Sequence, residues 1–277
     1  MVKSTPINEM GGCLSLNLHT RAYYLLTKLL ARCGCNVWCC LCGRKAKQFL
    51  PFMGGWKAAP AIINALDIVG SDLDHHSCPH CGCTDRERHL FLYLDRLKLW
   101  KQFEGATVLH FAPERAISSV IESAQPLEYL RADLFPASSK IEKIDLMAIP
   151  CGDSTFDILI VNHVLEHVQD DIKALNEIHR VLKPGGIAIL QTPYSAILEK
   201  TFCDNGIDTN LMRHHAYGQE DHVRLYGKDI FKLIESVGFQ SEINLHSDVL
   251  YEIDSDYHGV NPKEPLFLFR RILDSQS

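Results

Sequence analysis

A chain of 277 residues with 46% apolar content has room for one large α/β domain and a small module, and the disordered and fibrous classes are excluded. The net charge of −6 hides an asymmetry, because residues 1–100 carry 12 Lys+Arg against 7 Asp+Glu while residues 101–277 carry 16 against 27. No stretch of about 20 apolar residues offers a membrane span. The apolar cluster at 23–30 is broken by Lys28 and closed by Arg32, with no small-residue cleavage site after it, so the protein is read as cytoplasmic.

The first element is a front module whose eleven-cysteine chain context matters, since an odd count with close pairs suits metal ligation better than a disulfide framework. Cys39-Cys40-Leu41-Cys42-Gly43 and Cys78-Pro79-His80-Cys81-Gly82 are two CxxC knuckles, each ending in glycine and separated by 35 residues. Each knuckle presents two thiolates to one ion, which makes Cys39, Cys42, Cys78 and Cys81 the expected ligands of a structural zinc. Cys40, His80 and Cys83 are adjacent competitors. Between the knuckles, residues 59–68 are the helical candidate. Cys35, Cys39 and Cys42 also spell CxxxCxxC, an iron-sulfur signature, but that reading leaves Cys78 and Cys81 unexplained and is set aside. A mildly basic module permits an RNA partner, although four zinc-bound thiolates would shrink the +5 balance to +3 and no arginine-rich or aromatic-interleaved run supports it.

From residue 85 the pattern turns helical, with Leu90, Tyr93, Leu94, Leu97 and Trp100 on one stripe. This gives three parts: a front module over 1–84, a connector helix over 85–102, and an α/β domain over 103–277. Residues 106–111 form the first strand of that domain, followed by His110-Phe111-Ala112-Pro113-Glu114 without any glycine. Residues 128–132 form the second strand, ending at Asp133, and a short third segment ends at Asp145. Residues 156–161 are a continuous apolar run of the kind buried in a parallel sheet, and Asn162, His163, Glu166 and His167 follow at its carboxyl end, where open α/β sheets place ligands. Residues 170–182 carry helical spacing, and Lys183-Pro184-Gly185-Gly186 is read as the stop before the next apolar run at 187–191.

This order of elements resembles the class I S-adenosylmethionine-dependent methyltransferases, here of the type 11 domain with a zinc-ribbon-like module in front. The resemblance implies a Rossmann-like seven-stranded sheet and S-adenosylmethionine as cofactor. His110, Ala112, Pro113 and Glu114 would then form the cofactor turn, with Glu114 accepting from the methionine ammonium group. Asp133 and its neighbour Leu134 would meet the ribose, Asp145 and Leu146 the adenine, and Asn162 and His163 would be further cofactor-binding residues. The family's turn is normally glycine-rich, so this chain departs from it at Ala112. The Asn162-His163 pair replaces the Asn/Asp-Pro-Pro-aromatic turn of enzymes that methylate exocyclic amides, which argues against such acceptors.

An oxygen acceptor must lose a proton, and histidine is the natural base near neutral pH. His163 and His222 are the candidates. Tyr194, His222 and Arg224 lie in or beside the segment after the fifth strand that often covers the acceptor, and they are the expected substrate contacts. His163, Glu166 and His167 would share one face of a helix, the spacing of a divalent-metal site, similar to the Glu-x-x-Glu-His motif of some O-methyltransferases. Residues 227–237 read as an amphipathic helix, and residues 242–245 and 265–269 as a final antiparallel pair. The leading expectation is O-methylation of a small molecule or glycan intermediate. An RNA methyltransferase and a non-catalytic zinc-containing scaffold are the alternatives. Acceptor, pathway and oligomeric state are not encoded in any motif recognised above.

Overall fold

The computed structural model describes residues 18–273, so the part of the front module before Leu18 lies outside the described residues. Seven strands form one mixed sheet: β1 (Thr107–Phe111), β2 (Glu128–Asp133), β3 (Glu142–Lys143), β4 (Phe156–Val161), β5 (Leu182–Ile189), β6 (Phe239–Ser241) and β7 (Leu268–Arg271). Their spatial order is β3-β2-β1-β4-β5-β7-β6. The first five pair in parallel, while β7 runs antiparallel to both β5 and β6. Val108, Leu109, Leu159, Ile160 and Val161 are fully buried, which explains why β1 and β4 read as unbroken apolar runs rather than alternating ones.

The longer helices are α1 (Leu18–Arg32), α2 (Asp85–Arg96), α3 (Arg115–Ser123), α4 (Asp171–Val181), α5 (Asn210–Tyr217) and α6 (Ile230–Glu235), joined by several single turns. α2 and α3 pack on one face of the sheet, α4 and α6 on the other. The connector helix α2 begins at a capping box. Thr84 Oγ1 accepts from the Glu87 amide at 3.3 Å, and the Thr84 amide donates to the Glu87 carboxylate at 2.7 Å. Asp170 caps α4 in the same manner by accepting from the Lys173 amide at 2.9 Å. Among the described residues no helix is long and apolar enough to cross a membrane.

Several boundaries differ from the expected ones for identifiable reasons. Lys183-Pro184-Gly185-Gly186 lies inside β5 rather than ahead of it. Pairing with β4 starts at Phe156–Leu182 and resumes at Ile158–Ile187, so the four residues form a bulge, with Gly185 at φ +79°. Residues 163–168 form turns, not a helix. The final pair sits at Phe239–Ser241 and Leu268–Arg271, with Asn244–Leu266 only an isolated bridge at its edge. The connector breaks after Arg96, where Lys98 takes φ +57°, and resumes as a turn at Trp100–Phe103.

In the front module Val37–Trp38 and Lys45–Ala46 pair antiparallel around the first knuckle, and the expected helix shrinks to Ala61–Ala65. Ile68–Val69 then pairs with Tyr194–Ser195 from the chain after β5. Arg88 of α2 stitches the two parts together from a fully buried position, donating to the carbonyls of Cys83, Gly259 and His258. The front module is therefore seated over the carboxyl ends of the sheet strands rather than held on a linker.

Candidate active site

The strand order reverses between β1 and β4, which lead away to β2 on one side and β5 on the other. A crevice opens outside the carboxyl ends at such a switch point. Here it is a cleft of about 740 Å³, walled by Ala112, Pro113, Glu114, Asp133, Asp145 and Asn162 from the sheet, by His222 and Arg224 from the insert after β5, and by Phe52 and Trp56 from the front module.

The glycine-free turn takes a glycine-like conformation. Ala112 has φ +46°, in the left-handed region, and its amide donates to the Ala132 carbonyl at 2.9 Å. Alanine is held there at a cost of roughly 1–2 kcal/mol, and its single methyl keeps the backbone near the cleft. Glu114 opens α3. His110 Nε2 donates to its carboxylate at 2.9 Å, while His110 Nδ1 lies 2.8 Å from the Tyr129 hydroxyl. Burial pushes the Glu114 carboxyl up, but the hydrogen bond and charge of His110 outweigh it and hold the acid below the usual range. His110 itself is fully buried behind the cleft, where it positions Glu114 rather than lining the cavity.

Asp133 and Asp145 each fix the turn after their strand. Asp133 Oδ1 accepts from the Phe135 amide at 2.8 Å, and Asp145 Oδ1 from the Met147 amide at 2.9 Å. Both acids, with Leu134 and Leu146, line the cleft.

After β4 the polar residues form a layered cluster. Glu166 is 2% exposed, and one of its oxygens accepts from the Thr192 hydroxyl at 2.9 Å. Its other oxygen lies 3.5 Å from His163 Nδ1 and 4.0 Å from His167 Nε2. Burial raises the Glu166 carboxyl, yet His163, His167 and His222 together hold it well below the carboxylate range. His222 Nδ1 faces the Tyr217 carbonyl at 3.3 Å and its ring meets His167 edge-on at 4.8 Å. Burial pulls His222 down to about 4, so its imidazole is neutral at physiological pH. His163, at φ +54°, has Nε2 directed at Glu264 4.0 Å away, so both its ring nitrogens face carboxylates.

The ligand atoms of Glu166, His167 and His222 lie within 4.8 Å of one another. That set differs from the expected trio by exchanging His163 for His222, because the turn at 163–168 aims His163 at Glu264. In the front module the sulfurs of Cys39, Cys42, Cys78 and Cys81 gather within the same limit. Cys39 and Cys81 are 3.8 Å apart and Cys42 and Cys78 3.9 Å apart, matching the spacing of about 3.8 Å around a tetrahedral ion with bonds of about 2.3 Å. Both knuckles fold alike, with Gly43 and Gly82 donating back to the carbonyls of Cys39 and Cys78 at 2.9 Å. Of the three competitors, Cys40 turns to the Arg88 carbonyl and His80 to the Lys45 carbonyl. Cys83 alone stays close, 3.4 Å from Cys39.

Residues 105–190 match the family model described as a methyltransferase domain. The matched stretch runs from the start of β1 to the end of β5. A probable S-adenosylmethionine-dependent methyltransferase of Mycolicibacterium smegmatis is 26% identical over 151 residues, covering 52% of this chain and 54% of that protein. A demethylmenaquinone methyltransferase of Staphylococcus epidermidis is 44% identical over 45 residues, 16% of this chain and 19% of that protein. The chain thus spans about half the length of the first relative and about a fifth of the second. A solved S-adenosylmethionine-dependent methyltransferase from Mesorhizobium loti aligns with a TM-score of 0.44 at 15% identity, over 65% of this chain and 98% of that one.

Not every expected contact lies at the cleft. Tyr194 packs against Phe231 and Phe267 in the core. Arg224 reaches the cleft wall, but its guanidinium donates to the carbonyls of Leu165, Val168 and Gln169 and so holds the polar turn in place. Sequence patterns missed Arg86, Asp221 and Glu264. Glu264 sits in a long connection with no periodic signal, and Arg86 looked like an ordinary charged position at a helix start.

Proposed function

We propose that the protein transfers a methyl group from S-adenosylmethionine to an oxygen nucleophile of a small-molecule or glycan acceptor. The observation that carries this reading is the neutral His222 imidazole on the insert side of a cleft whose other side bears Ala112, Asp133 and Asp145. The residues present fit the cofactor: Asp133 would accept from its ribose hydroxyls and Asp145 from its adenine amino group, with Ala112 lining the same cleft. When bound, the cofactor supplies an electrophilic methyl on a sulfonium sulfur. Asp133 and Asp145 then fix its direction, and such positioning contributes several kcal/mol to lowering the barrier. His222 takes the acceptor's hydroxyl proton through Nε2, since Nδ1 is bound to Tyr217. Of the two histidine candidates His222 is preferred, because His163 is set between two buried carboxylates, with Glu166 3.5 Å from its Nδ1 and Glu264 4.0 Å from its Nε2.

A divalent cation is a second reading, favoured by the grouping of Glu166, His167 and His222. Those three residues would hold it, and it would acidify an acceptor hydroxyl. Cys39, Cys42, Cys78 and Cys81 are proposed as the holders of a structural zinc.

The test supplies radiolabelled S-adenosylmethionine with either total RNA or a metabolite and glycan extract. Label in the extract, released as base-stable ether, supports the reading. Label confined to RNA replaces it with the RNA alternative, and no transfer with no cofactor binding leaves the scaffold. Loss of turnover on adding a chelator of hard cations would favour the second reading over His222 as base. Elemental analysis should find one zinc per chain, and Cys78→Ser should lose it together with at least about 10 °C of thermal midpoint. A folded wild-type protein free of zinc would refute the zinc assignment.

A further inference from the structure

Helix α1 is turned the opposite way from a helix that packs its apolar face on a core. Its inward side carries Thr27, the half-buried Lys28 and the buried Ala31, whereas Leu25, Leu26, Leu29 and Leu30 on the far side are each between 58% and 60% exposed. Their spacing of i, i+1, i+4 and i+5 makes one continuous apolar stripe. Single apolar residues scattered over a surface are ordinary, but a contiguous patch of this kind marks an interaction site.

The stripe is held outward at one end. The Lys47 amide donates to the Ala31 carbonyl at 2.8 Å, and Arg32 Nε donates to the Pro79 carbonyl at 2.9 Å. The end of α1 is thereby tied to the chain after the first knuckle and to the inside of the second, so the cysteine module sets the direction in which the leucines face. Lys28 and Arg32, three and seven positions after Leu25, run along one edge of the stripe.

Its surroundings are basic. Residues 10–66 hold seven Lys+Arg and no Asp or Glu, while residues 101–277 carry an excess of eleven acids. A zinc ion on four thiolates would lower the excess of seven only to five. Arg32, Arg44, Lys45 and Lys47 are exposed. An apolar stripe edged by cations and free of acids complements an anionic lipid bilayer, whose interface takes up the leucines while its headgroups meet the lysines and arginines. A second copy of the chain fits less well, because two such faces would bring basic residues together with no acid to offset them. RNA would meet the charges and leave the leucines in water.

We propose that α1 is an interfacial helix that seats the front module on an anionic membrane surface, with Leu25, Leu26, Leu29 and Leu30 at the boundary between headgroups and acyl chains. At 15 residues, with Arg21, Lys28 and Arg32 along it, the helix lies on the bilayer and does not cross it. This is a binding role separate from methyl transfer.

Co-sedimentation of the full chain with phosphatidylcholine vesicles, with and without about 30% phosphatidylserine, tests it. The wild-type protein should bind the anionic vesicles at least about 10-fold more tightly than the neutral ones, and added salt should weaken that binding. Leu25→Gln/Leu29→Gln should lose about 10-fold or more of the affinity with the thermal midpoint unchanged, since both side chains are exposed and glutamine suits a helix. Binding that survives the double variant would be adsorption by charge alone and overturns the proposal, as does a wild-type protein that stays in the supernatant. A dimer in sedimentation velocity that the same variant dissolves would cover the leucines with a second copy, and binding to RNA without binding to vesicles would make the face a nucleic-acid surface; either result defeats the membrane assignment. Should the leucine variant fail to fold, Arg44→Gln/Lys45→Gln, altered outside the helix, should still weaken binding to anionic vesicles about 10-fold, and unchanged affinity would sink the idea. None of these measurements uses the cofactor, so their failure leaves the methyl-transfer reading untouched.

Discussion

Replacing Arg88 by methionine is expected to lower the free energy of unfolding by about 3–5 kcal/mol. The guanidinium is fully buried and stacks on Phe49 at 3.8 Å. It donates to the carbonyls of Cys83 at 3.1 Å, Gly259 at 2.7 Å and His258 at 2.9 Å, and to the carbonyl of His75. Methionine fills much of the volume but leaves those carbonyls dry and unpaired, and each such orphan costs about 1–3 kcal/mol. Gly259 shows how tight the contact is. It adopts φ +61°, and a Cβ there would collide with the Phe49 ring. Because the same contact seats the second knuckle against the 255–260 segment, the variant should also loosen the front wall of the cleft. Denaturant unfolding measures the first effect, and faster proteolysis near the knuckles the second. A loss below about 1 kcal/mol would mean that water replaces the guanidinium without penalty and that the module is not anchored there.

The second large effect concerns binding. Asp133→Ala should weaken S-adenosylmethionine and 5′-methylthioadenosine alike, by about 100-fold or more, with a thermal midpoint close to wild type. Among the described residues the Asp133 side chain makes one hydrogen bond, accepting from the Phe135 amide, so its loss is a small matter for stability. On the proposed cofactor reading it removes the charged acceptor for the two ribose hydroxyls. The shared loss marks the nucleoside end of the ligand, because both ligands carry the ribose. An Asp133→Ala protein that binds both ligands as tightly as wild type would place the nucleoside elsewhere and dismantle the cofactor reading.

Much of this architecture was visible as local pattern. The apolar runs of β1 and β4, the acids at 133 and 145, and the helical spacing ahead of α4 each depend on residues a few positions apart, and burial selects them directly. The paired knuckles were legible for the same reason, since CxxCG has one compact way to turn two sulfurs inward. The bulge in β5 was not, because Pro184 and Gly185 carry a strong stop signal that pairing with β4 overrides. Nor was the turn after β4, where spacing implied a helical face and the chain instead places His163 at φ +54°.

Composition and pattern therefore settled the α/β class, most strand segments, the crevice end of the sheet and which four cysteines gather. Which side chains meet across that crevice was decided by tertiary structure alone. His89 and His246 touch although 157 residues separate them, and Glu264 reaches His163 from a loop with no periodicity. Such contacts arise where the front module, the insert and the last loop converge over one sheet edge. Hydrophobic periodicity records which face of an element is buried, not which buried polar groups from distant elements come to share a cavity.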